Sequence, residues 1–501
     1  MEQQYVELKA RLAEIHDLER VSEALAWDEQ TMMPVRGAPV RAEHTATLRR
    51  IAHEKLAADE TGRLLESLRA YEEGLDFDSD EASLIRVARR DYEKARRVPA
   101  ELLAELARAG SDAYHHWIEA RRRSHFSLFL PYLERNVELK RRYIDCFDVD
   151  GDAYDVLLDI YEPGMKTAQV TAVFDELKRE LRPFIATLVE RADAVDDTCL
   201  GGRFPVERQR ELALAILERF GFAPDAWRLD PTVHPFAVGL ATTYIRLTTR
   251  YEEESIASLF YSMHEFGHGL YEHGISPSLE RTSLCQGASM GLHESQSGLW
   301  ENLVGRSRPF WRYFYPQLQA AFTERFAEVD VETFYRAASR VQPSLIRIEA
   351  DEATYNLHII LRFELEQEIV HGRLELRDLP AAWNARVKEY LGIDVPDDAR
   401  GVLQDVHWAG GSFGYFPTYA LGNIISVQLW EQIERAIPDL DEQMERGEFG
   451  SLRAWLRDNV HVYGRKFTTS ELLERVTGAS AIDPGPFIGY LKSKLGEIYG
   501  L

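Results

Sequence analysis

The segment His264-Glu265-Phe266-Gly267-His268 combines two histidines and a glutamate at a spacing that suits metal chemistry. On an α-helix, residues four apart lie on one face, one turn above the other. The imidazoles of His264 and His268 can therefore reach a single ion at about 2.0–2.1 Å, the usual Zn–N distance. Glu265 points to another side of the turn and can act on a water molecule as a general base. The motif predicts a zinc-dependent hydrolase with Glu265 as its catalytic residue.

The residues around this motif favour a helix. Apolar or small side chains recur at spacings of three and four residues, at Ile256, Leu259, Phe260, Met263, Gly267 and Leu270. Gly274 suits the C-terminal cap. Gly267 costs about 1 kcal/mol relative to alanine within a helix. The expected benefit is that a second helix can pack close to the metal.

A catalytic zinc needs three protein ligands and one open position. The segment 289–300 is predicted to form a second helix, in which small residues such as Ser297 follow Glu294 by about one turn. Such a surface lets two helices approach closely, which would bring Glu294 to the ion as the third ligand. The alternative is a solvated helix glutamate. His273 and His293 lack the spacing of ligands, and we predict that neither binds the metal.

Most of the chain is predicted to be helical. The first segment places Tyr5, Leu8, Leu12, Ile15 and Leu18 along one apolar stripe. The best strand signal is the β-branched run 242–249, just before the metal motif. No long low-complexity linker and no internal repeat divides the sequence. We therefore expect a mostly α fold with a minor β-sheet, in a single domain over residues 1–501.

The composition limits the classes of partner. The formal net charge is −24, which argues against nucleic acid, because duplex binding depends on a basic surface. No run of 18 or more apolar residues and no signal peptide is visible, so we expect neither a membrane span nor export. The three cysteines, Cys146, Cys199 and Cys285, lie far apart in no metal-binding pattern. This usage is typical of a reduced, cytoplasmic protein.

The sequence resembles the carboxypeptidase Taq family of metallocarboxypeptidases over nearly its whole length. Besides the two metal segments, the motifs that carry the resemblance are His234-Pro235-Phe236 (HPF), the IRxxAD motif at residues 346–351, the GxxQDxHW motif at residues 401–408 and the segment Trp27–Pro34. One motif departs from the family. Where the family has DxRxT, this chain has Tyr244-Ile245-Arg246-Leu247-Thr248. An acid that could hold Arg246 is lost, so the shape or selectivity of the substrate pocket is expected to differ.

The resemblance implies a large helical metallopeptidase fold with a deep active-site groove, and a homodimer. It also implies that single residues are removed from peptides with a free C-terminus, with broad side-chain tolerance and poor action on proline. Zn²⁺ is the expected cofactor, and Co²⁺ can substitute for it in enzymes of this kind. An endo-acting oligopeptidase with the same metal site and a non-catalytic binding protein on the same scaffold are the alternatives.

Five further residues are candidates for substrate binding. Arginine presents a planar fork of donors that suits a terminal carboxylate, and Arg347 and Arg246 both lie in family motifs. The alternative for each is a structural ion pair with Asp351 or another acid. His407 and Tyr419 are candidate donors to a developing oxyanion. His234 is a candidate through the HPF motif.

Overall fold

The computed structural model describes residues 2–501, and most of them are helical. Its α-helices are α1 (Glu2–Thr31), α2 (Ala38–Ala57), α3 (Asp59–Ser67), α4 (Arg69–Glu72), α5 (Asp80–Arg97), α6 (Ala100–Arg123), α7 (Leu130–Ile144), α8 (Tyr154–Leu158), α9 (Thr167–Glu190), α10 (Val206–Phe220), α11 (Ala257–Gly274), α12 (Met290–Gly298), α13 (Arg308–Ala321), α14 (Thr323–Phe326), α15 (Val331–Ala338), α16 (Tyr355–Val370), α17 (Leu379–Leu391), α18 (Pro417–Ala436), α19 (Leu440–Glu445), α20 (Gly450–Asn459), α21 (Thr469–Thr477) and α22 (Pro484–Tyr499).

Three short strands form a single sheet. They are β1 (Trp227–Pro231), β2 (Ala237–Ala241) and β3 (Tyr244–Thr249), in the order β1-β3-β2. The central strand β3 is parallel to β1 and antiparallel to β2, and Arg246 lies opposite Arg228 and Val238. The β-branched run at 242–249 does form a strand, although it begins two residues later than predicted. The expectation of a mostly α fold with a minor β-sheet is confirmed.

The chain divides into two units, each built from three segments. The first unit comprises the described part of Met1–Arg96 together with Asp197–Ala338 and Leu429–Ala481, and the second comprises Arg97–Asp196, Ser339–Gln428 and Ile482–Leu501. The sheet, α11 and α12 belong to the first unit. The single catalytic domain over residues 1–501 stays a prediction.

In the first unit, α11 packs directly on one face of the sheet. A Cβ atom at Gly269 would lie 2.7 Å from the Trp227 ring and 2.8 Å from Cγ2 of Ile245, so only glycine permits this approach. Leu247, on the same sheet face, is fully buried. The sheet therefore supports the helix that carries the metal motif.

The first helix buries the stripe that its sequence predicts. Leu8, Leu12 and Ile15 are buried, and Tyr5 and Leu18 pack against the same cluster at partial burial. None of the described helices is both long enough and apolar enough to cross a bilayer.

In the second unit, α16 is buried along most of its length and carries a glutamate in the interior. Glu366 is fully buried and accepts hydrogen bonds from Tyr154 Oη at 2.6 Å, Trp408 Nε1 at 2.8 Å and the backbone N–H of Gly414 at 2.9 Å. Burial raises the pKa of its carboxyl to about 7. These bonds attach the end of the GxxQDxHW motif and the segment after it to α16.

Candidate metal centre and substrate residues

The metal motif lies on α11, as predicted, with Glu265 buried and both histidines partly buried. The close approach expected at Gly267 is also present. A Cβ atom there would lie 2.3 Å from the carbonyl oxygen of Gln296 and 2.7 Å from Cα of Ser297. Backbone atoms of α12 thus occupy the space that any other residue at position 267 would need.

This crossing brings Glu294 to the two histidines. Its Oε2 atom lies 3.5 Å from Nε2 of His264 and 3.7 Å from Nε2 of His268. Helix α12 is fixed at its start by Ser289, whose Oγ accepts the N–H of Leu292 at 3.1 Å. The ligand atoms of His264, His268 and Glu294 all lie within 4.8 Å of one another. Two imidazoles and one carboxylate are a donor set that suits catalytic zinc.

Each ligand histidine is supported from behind, by residues that sequence reasoning missed. Glu301, in a π-helical turn (Leu299–Val304) directly after α12, lies with Oε2 2.8 Å from Nδ1 of His264. Nδ1 of His268 is 3.1 Å from Nδ1 of His293. Nε2 of His293 in turn lies 2.7 Å from Oε1 of Glu272. Such contacts fix the tautomer that leaves Nε2 free to bind metal.

The sequence held signals for these supporting residues. Glu301 follows Glu294 by seven residues, or about two helical turns, and Glu272 follows His268 by four. His293 contacts His268 through Nδ1 and lies outside the group of three candidate ligands. His273 also lies outside it, with Nδ1 2.6 Å from the carbonyl oxygen of Thr242.

The site is rich in carboxylates that favour a cation. Burial raises the pKa of Glu265 to about 8, with Glu294 and Glu301 adding to the effect. Burial opposes charge on His264, yet the Glu301 carboxylate raises the pKa of that imidazole to about 10. Oε2 of Glu265 is buried and has no hydrogen-bond partner among the described residues. An unsatisfied buried carboxylate oxygen beside three converging donors fits a site that takes up a metal ion and a water molecule.

Gly274 does not have the role expected of it. It is the last residue of α11, and Ile275 follows in an extended conformation with φ −62° and ψ 142°, so no left-handed glycine cap is formed. A Cβ atom at this position would lie 2.6 Å from Cβ of His461. The side chain of His461 therefore excludes larger residues here, and packing explains the glycine.

Arg347, His407 and Tyr419 come together in the second unit. Arg347 is only 4% exposed and donates from Nε and Nη2 to Oδ1 of Asp405, at 3.0 and 2.9 Å. Its guanidinium carbon lies 4.8 Å from the ring centre of Tyr419. His407 Nε2 is 3.1 Å from Tyr419 Oη. These candidates are thus neighbours although 72 residues separate the first from the last.

The acid beside Arg347 is Asp405, and not the Asp351 considered from the sequence. Asp351 instead accepts N–H groups of Ala353 and Thr354 just before α16. A second arginine that sequence reasoning missed, Arg362, is fully buried and donates from Nε to Oδ2 of Asp405 at 2.7 Å. One carboxylate therefore lies between two guanidinium groups.

Arg246 lies in the first unit, in an aromatic setting. Its guanidinium carbon is 4.6 Å from the ring centre of Trp27 and 4.8 Å from that of Tyr244. Nη2 donates to the Tyr244 hydroxyl at 2.7 Å, while Nε is buried with no partner among residues 2–501. Tyr244 thus replaces the missing acid by a neutral acceptor and a ring face, so the positive charge is not neutralised there. His234 is exposed, in the segment between β1 and β2.

A helical protein with an HExxH pair, a second glutamate beside both histidines and a buried glutamate next to them has the kind of site that metallopeptidases use. Comparison with known proteins narrows this class. The profile of the carboxypeptidase Taq (M32) metallopeptidase family matches residues 7–495. The chain belongs to this family, and it is a metallocarboxypeptidase.

Relatives agree with this assignment over nearly their whole length. Thermostable carboxypeptidase 1 of Thermus thermophilus is 41% identical over 485 residues, covering 95% of each protein. Carboxypeptidase 1 of Bacillus subtilis is 38% identical, covering 95% of this chain and 96% of the relative. The crystal structure of the M32 carboxypeptidase from Deinococcus radiodurans R1 covers 100% of both chains with a TM-score of 0.95 at 39% identity.

Proposed function

We propose that this metallocarboxypeptidase depends on zinc held by His264, His268 and Glu294, with Glu265 as the general base. The observation that carries the proposal is the convergence of three ligand atoms within 4.8 Å beside the unpartnered, buried Oε2 of Glu265. The ligand set leaves one coordination position open, which distinguishes a catalytic site from a structural one. We propose Zn²⁺ as the cofactor, with Co²⁺ able to substitute.

The ion, when bound, supplies a Lewis acid that polarises a peptide carbonyl and makes water nucleophilic near neutral pH. Glu265 accepts the proton of the attacking water on its carboxylate and passes it to the departing amine. Glu301 and the His293–Glu272 pair hold the two imidazoles in the tautomer with Nε2 unprotonated. His407 and Tyr419 donate hydrogen bonds to the developing oxyanion.

Recognition of the free C-terminus is assigned to a cation, and Arg347 is the first candidate. The support is the net charge around Arg347. Arg347 and Arg362 both donate hydrogen bonds to one carboxylate, that of Asp405. That leaves one positive charge for a substrate carboxylate. Arg246 is the second candidate, because no acid within the described chain neutralises it. His234 stays a prediction for substrate binding.

The remaining properties follow from the family resemblance. We propose peptide substrates with broad side-chain tolerance and poor cleavage beside proline. We also propose a homodimer in the cytoplasm, with neither nucleic acid nor membrane as a partner. The absence of disulfides supports a reducing compartment, because Cys146, Cys199 and Cys285 are all free.

The metal assignment is tested with three variants. His264→Ala is expected to lose the bound ion, while His273→Ala on the same helix keeps it, because His273 faces Thr242. Glu265→Gln is expected to keep the ion but lose about 10²–10⁴-fold in kcat, since an amide cannot accept a proton from water. Elemental analysis and turnover of a short peptide are measured on each variant. Full metal content in His264→Ala, or near-normal kcat in Glu265→Gln, contradicts the proposal.

The carboxylate assignment is tested with a thermodynamic cycle. Arg347→Ala and C-terminal amidation each remove one partner of the same pair, so each should cost about 2–5 kcal/mol in kcat/KM. Their effects should not add, because both remove one contact. Arg362 remains bound to Asp405 in the variant, so that carboxylate is not left unpaired.

Arg246→Ala is the matched comparison for this cycle. If amidation costs Arg347→Ala as much as it costs the parent enzyme, Arg347 does not bind the carboxylate. If Arg246→Ala is the only variant that is insensitive to amidation, Arg246 binds the substrate carboxylate. Cleavage of amidated peptides at internal bonds by the parent enzyme would indicate endopeptidase activity.

A further inference from the structure

A polar cavity lies in the first unit, and its lining includes none of the three candidate metal ligands. It has a volume of about 360 Å³. Its lining comes mainly from α1, α2 and α5, and comprises Leu12, Ile15, His16, Glu19, Ser22, Glu23, Arg49, Leu56, Ala88, Asp91, Ser283, Gln286 and Arg465. Sites for small molecules typically have volumes of about 300–1,000 Å³, so the cavity is large enough for a small ligand.

Some of its charged groups are already paired with protein. Asp91 accepts two hydrogen bonds from Arg465, at 3.0 and 3.1 Å. Glu23 accepts one from Nη1 of Arg20 at 2.7 Å. The opposite charges in these pairs neutralise each other, so these groups have few hydrogen-bonding positions left for a ligand.

Three other groups on the cavity wall have no hydrogen-bond or ion-pair partner among residues 2–501. They are the His16 imidazole, the Glu19 carboxylate and the Arg49 guanidinium group. His16 is only 7% exposed, and its side chain borders the cavity. A buried imidazole without any partner is costly unless another molecule satisfies it. The wall therefore presents one carboxyl group, one guanidinium cation and one imidazole to a ligand.

The charge states of these groups agree with their geometry. Burial and the nearby Arg20 lower the pKa of His16 to about 4, so its imidazole is neutral at pH 7 with one donor and one acceptor nitrogen. The side chains of Glu19 and Arg49 are exposed, and both border the cavity. Desolvation by neighbouring groups and the Glu23 carboxylate raise the pKa of Glu19 to about 7. A ligand cation beside Glu19 would favour its ionised form.

The lining does not resemble a metal site. Within residues 2–501, the atoms that meet the spacing for three metal ligands are those of His264, His268 and Glu294. The cavity instead combines separated charges of opposite sign with an apolar wall formed by Leu12, Ile15, Leu56 and Ala88. This combination complements a small zwitterion that carries an apolar group.

We propose that this cavity binds a free α-amino acid with an apolar side chain, the kind of molecule that a carboxypeptidase releases. The ammonium group lies against Glu19, the carboxylate accepts hydrogen bonds from Arg49, and His16 bonds to either polar end. The apolar side chain packs on Leu12 and its neighbours. The metallocarboxypeptidase thus carries a product-binding site that is separate from its metal centre.

The test is calorimetric titration of the metal-loaded enzyme with L-leucine. Glu19→Gln and Arg49→Met should each weaken binding at the cavity by at least about tenfold, the effect of losing one charge-assisted hydrogen bond. Neither substitution removes a hydrogen bond or an ion pair within residues 2–501, so folding should be kept. Glu14→Gln and Arg50→Met are matched controls, because these exposed residues pair with Lys55 and Glu54. They should leave binding unchanged.

Two leucine analogues separate the polar ends of the ligand. Isopentylamine lacks the carboxylate and should be insensitive to Arg49→Met, and 4-methylpentanoate lacks the amine and should be insensitive to Glu19→Gln. Leucine bound at the metal centre alone would be unaffected by either substitution, and this result overturns the proposal. Absence of leucine binding at millimolar concentration also overturns it. A loss in only one of the two variants overturns the assignment of a zwitterion.

Discussion

At the scale of single residues, the candidate metal centre includes side chains outside the group of three candidate ligands. Glu301 and His293 each lie against the Nδ1 atom of one of the two motif histidines. Nδ1 and Nε2 of one neutral imidazole cannot both be protonated, so a hydrogen bond at Nδ1 decides which nitrogen is free for metal. The two supports differ, because Glu301 is a carboxylate and His293 is an imidazole backed by Glu272.

A second residue-scale feature is the buried carboxylate between two arginines. Although burial opposes its ionisation, the guanidinium groups of Arg347 and Arg362 hold the pKa of Asp405 well below its usual range. A carboxyl with a lowered folded-state pKa contributes stability above its unfolded pKa of about 4. That contribution decreases as the pH falls from about 4 toward the folded pKa.

Replacing Asp405 by asparagine should therefore change both stability and its pH dependence. At pH 7 the variant should lose about 3–5 kcal/mol, because two buried guanidinium groups lose their counter-charge. Below pH 4, its stability should rise less steeply with pH than that of the parent, by up to about 1.4 kcal/mol per pH unit. Urea unfolding between pH 2.5 and 7 measures both effects. Asp394→Asn, which alters an exposed carboxyl paired with Lys388, is the control. Equal slopes in parent and Asp405→Asn would show that Asp405 is not ionised in the folded protein at low pH.

At the scale of elements, the centre is made by the crossing of α11 and α12. The two helices approach so closely at Gly267 that backbone atoms of α12 fill the place of a side chain. Glu294 lies on α12, about one turn before Ser297, so the crossing sets the distance between Glu294 and the two histidines. The predicted cost of a glycine within a helix is thus offset by the geometry that it permits.

Gly267→Ala should separate the two helices and weaken metal binding. Overpacking of this kind typically destabilises a protein by about 1–3 kcal/mol. Gly489→Ala is the matched control, because Gly489 also lies within a helix but has open space where a Cβ would stand. It should leave metal binding unchanged and raise stability by up to about 1 kcal/mol. Unfolding midpoints and metal affinity are measured for both variants. Unchanged metal affinity in Gly267→Ala would mean that the crossing does not set the ligand distances.

At the scale of the whole molecule, the family resemblance predicts a homodimer. Light scattering should give a mass of twice 57.5 kDa across a range of concentrations. Each chain carries a formal charge of −24, so repulsion between subunits should weaken as salt screens it. Measurements at low and high ionic strength test this, and added salt should not dissociate the dimer. A mass of 57.5 kDa under all conditions rejects the prediction.

The sequence by itself determined the parts of this protein that depend on spacing along one helix. The positions of His264, Glu265 and His268 on one turn follow from 3.6 residues per turn, and so does the buried stripe of α1. The small residues near Glu294 also indicated a close helix crossing, and Gly267 is where that crossing occurs. The mostly α class followed from the same periodicity, because it is a local property of the chain.

Only the tertiary structure decided which distant residues meet. The sequence offered Asp351 as a partner for Arg347, yet Asp405 occupies that position and Arg362 shares it. The glycine expected to cap α11 instead makes room for His461, which lies 187 residues further along the chain. Helical periodicity fixes the face on which a residue lies, but packing between segments selects its partner on that face. This is why the metal motif could be found from its spacing, whereas the arginine cluster and the polar cavity lined by α1, α2 and α5 could not.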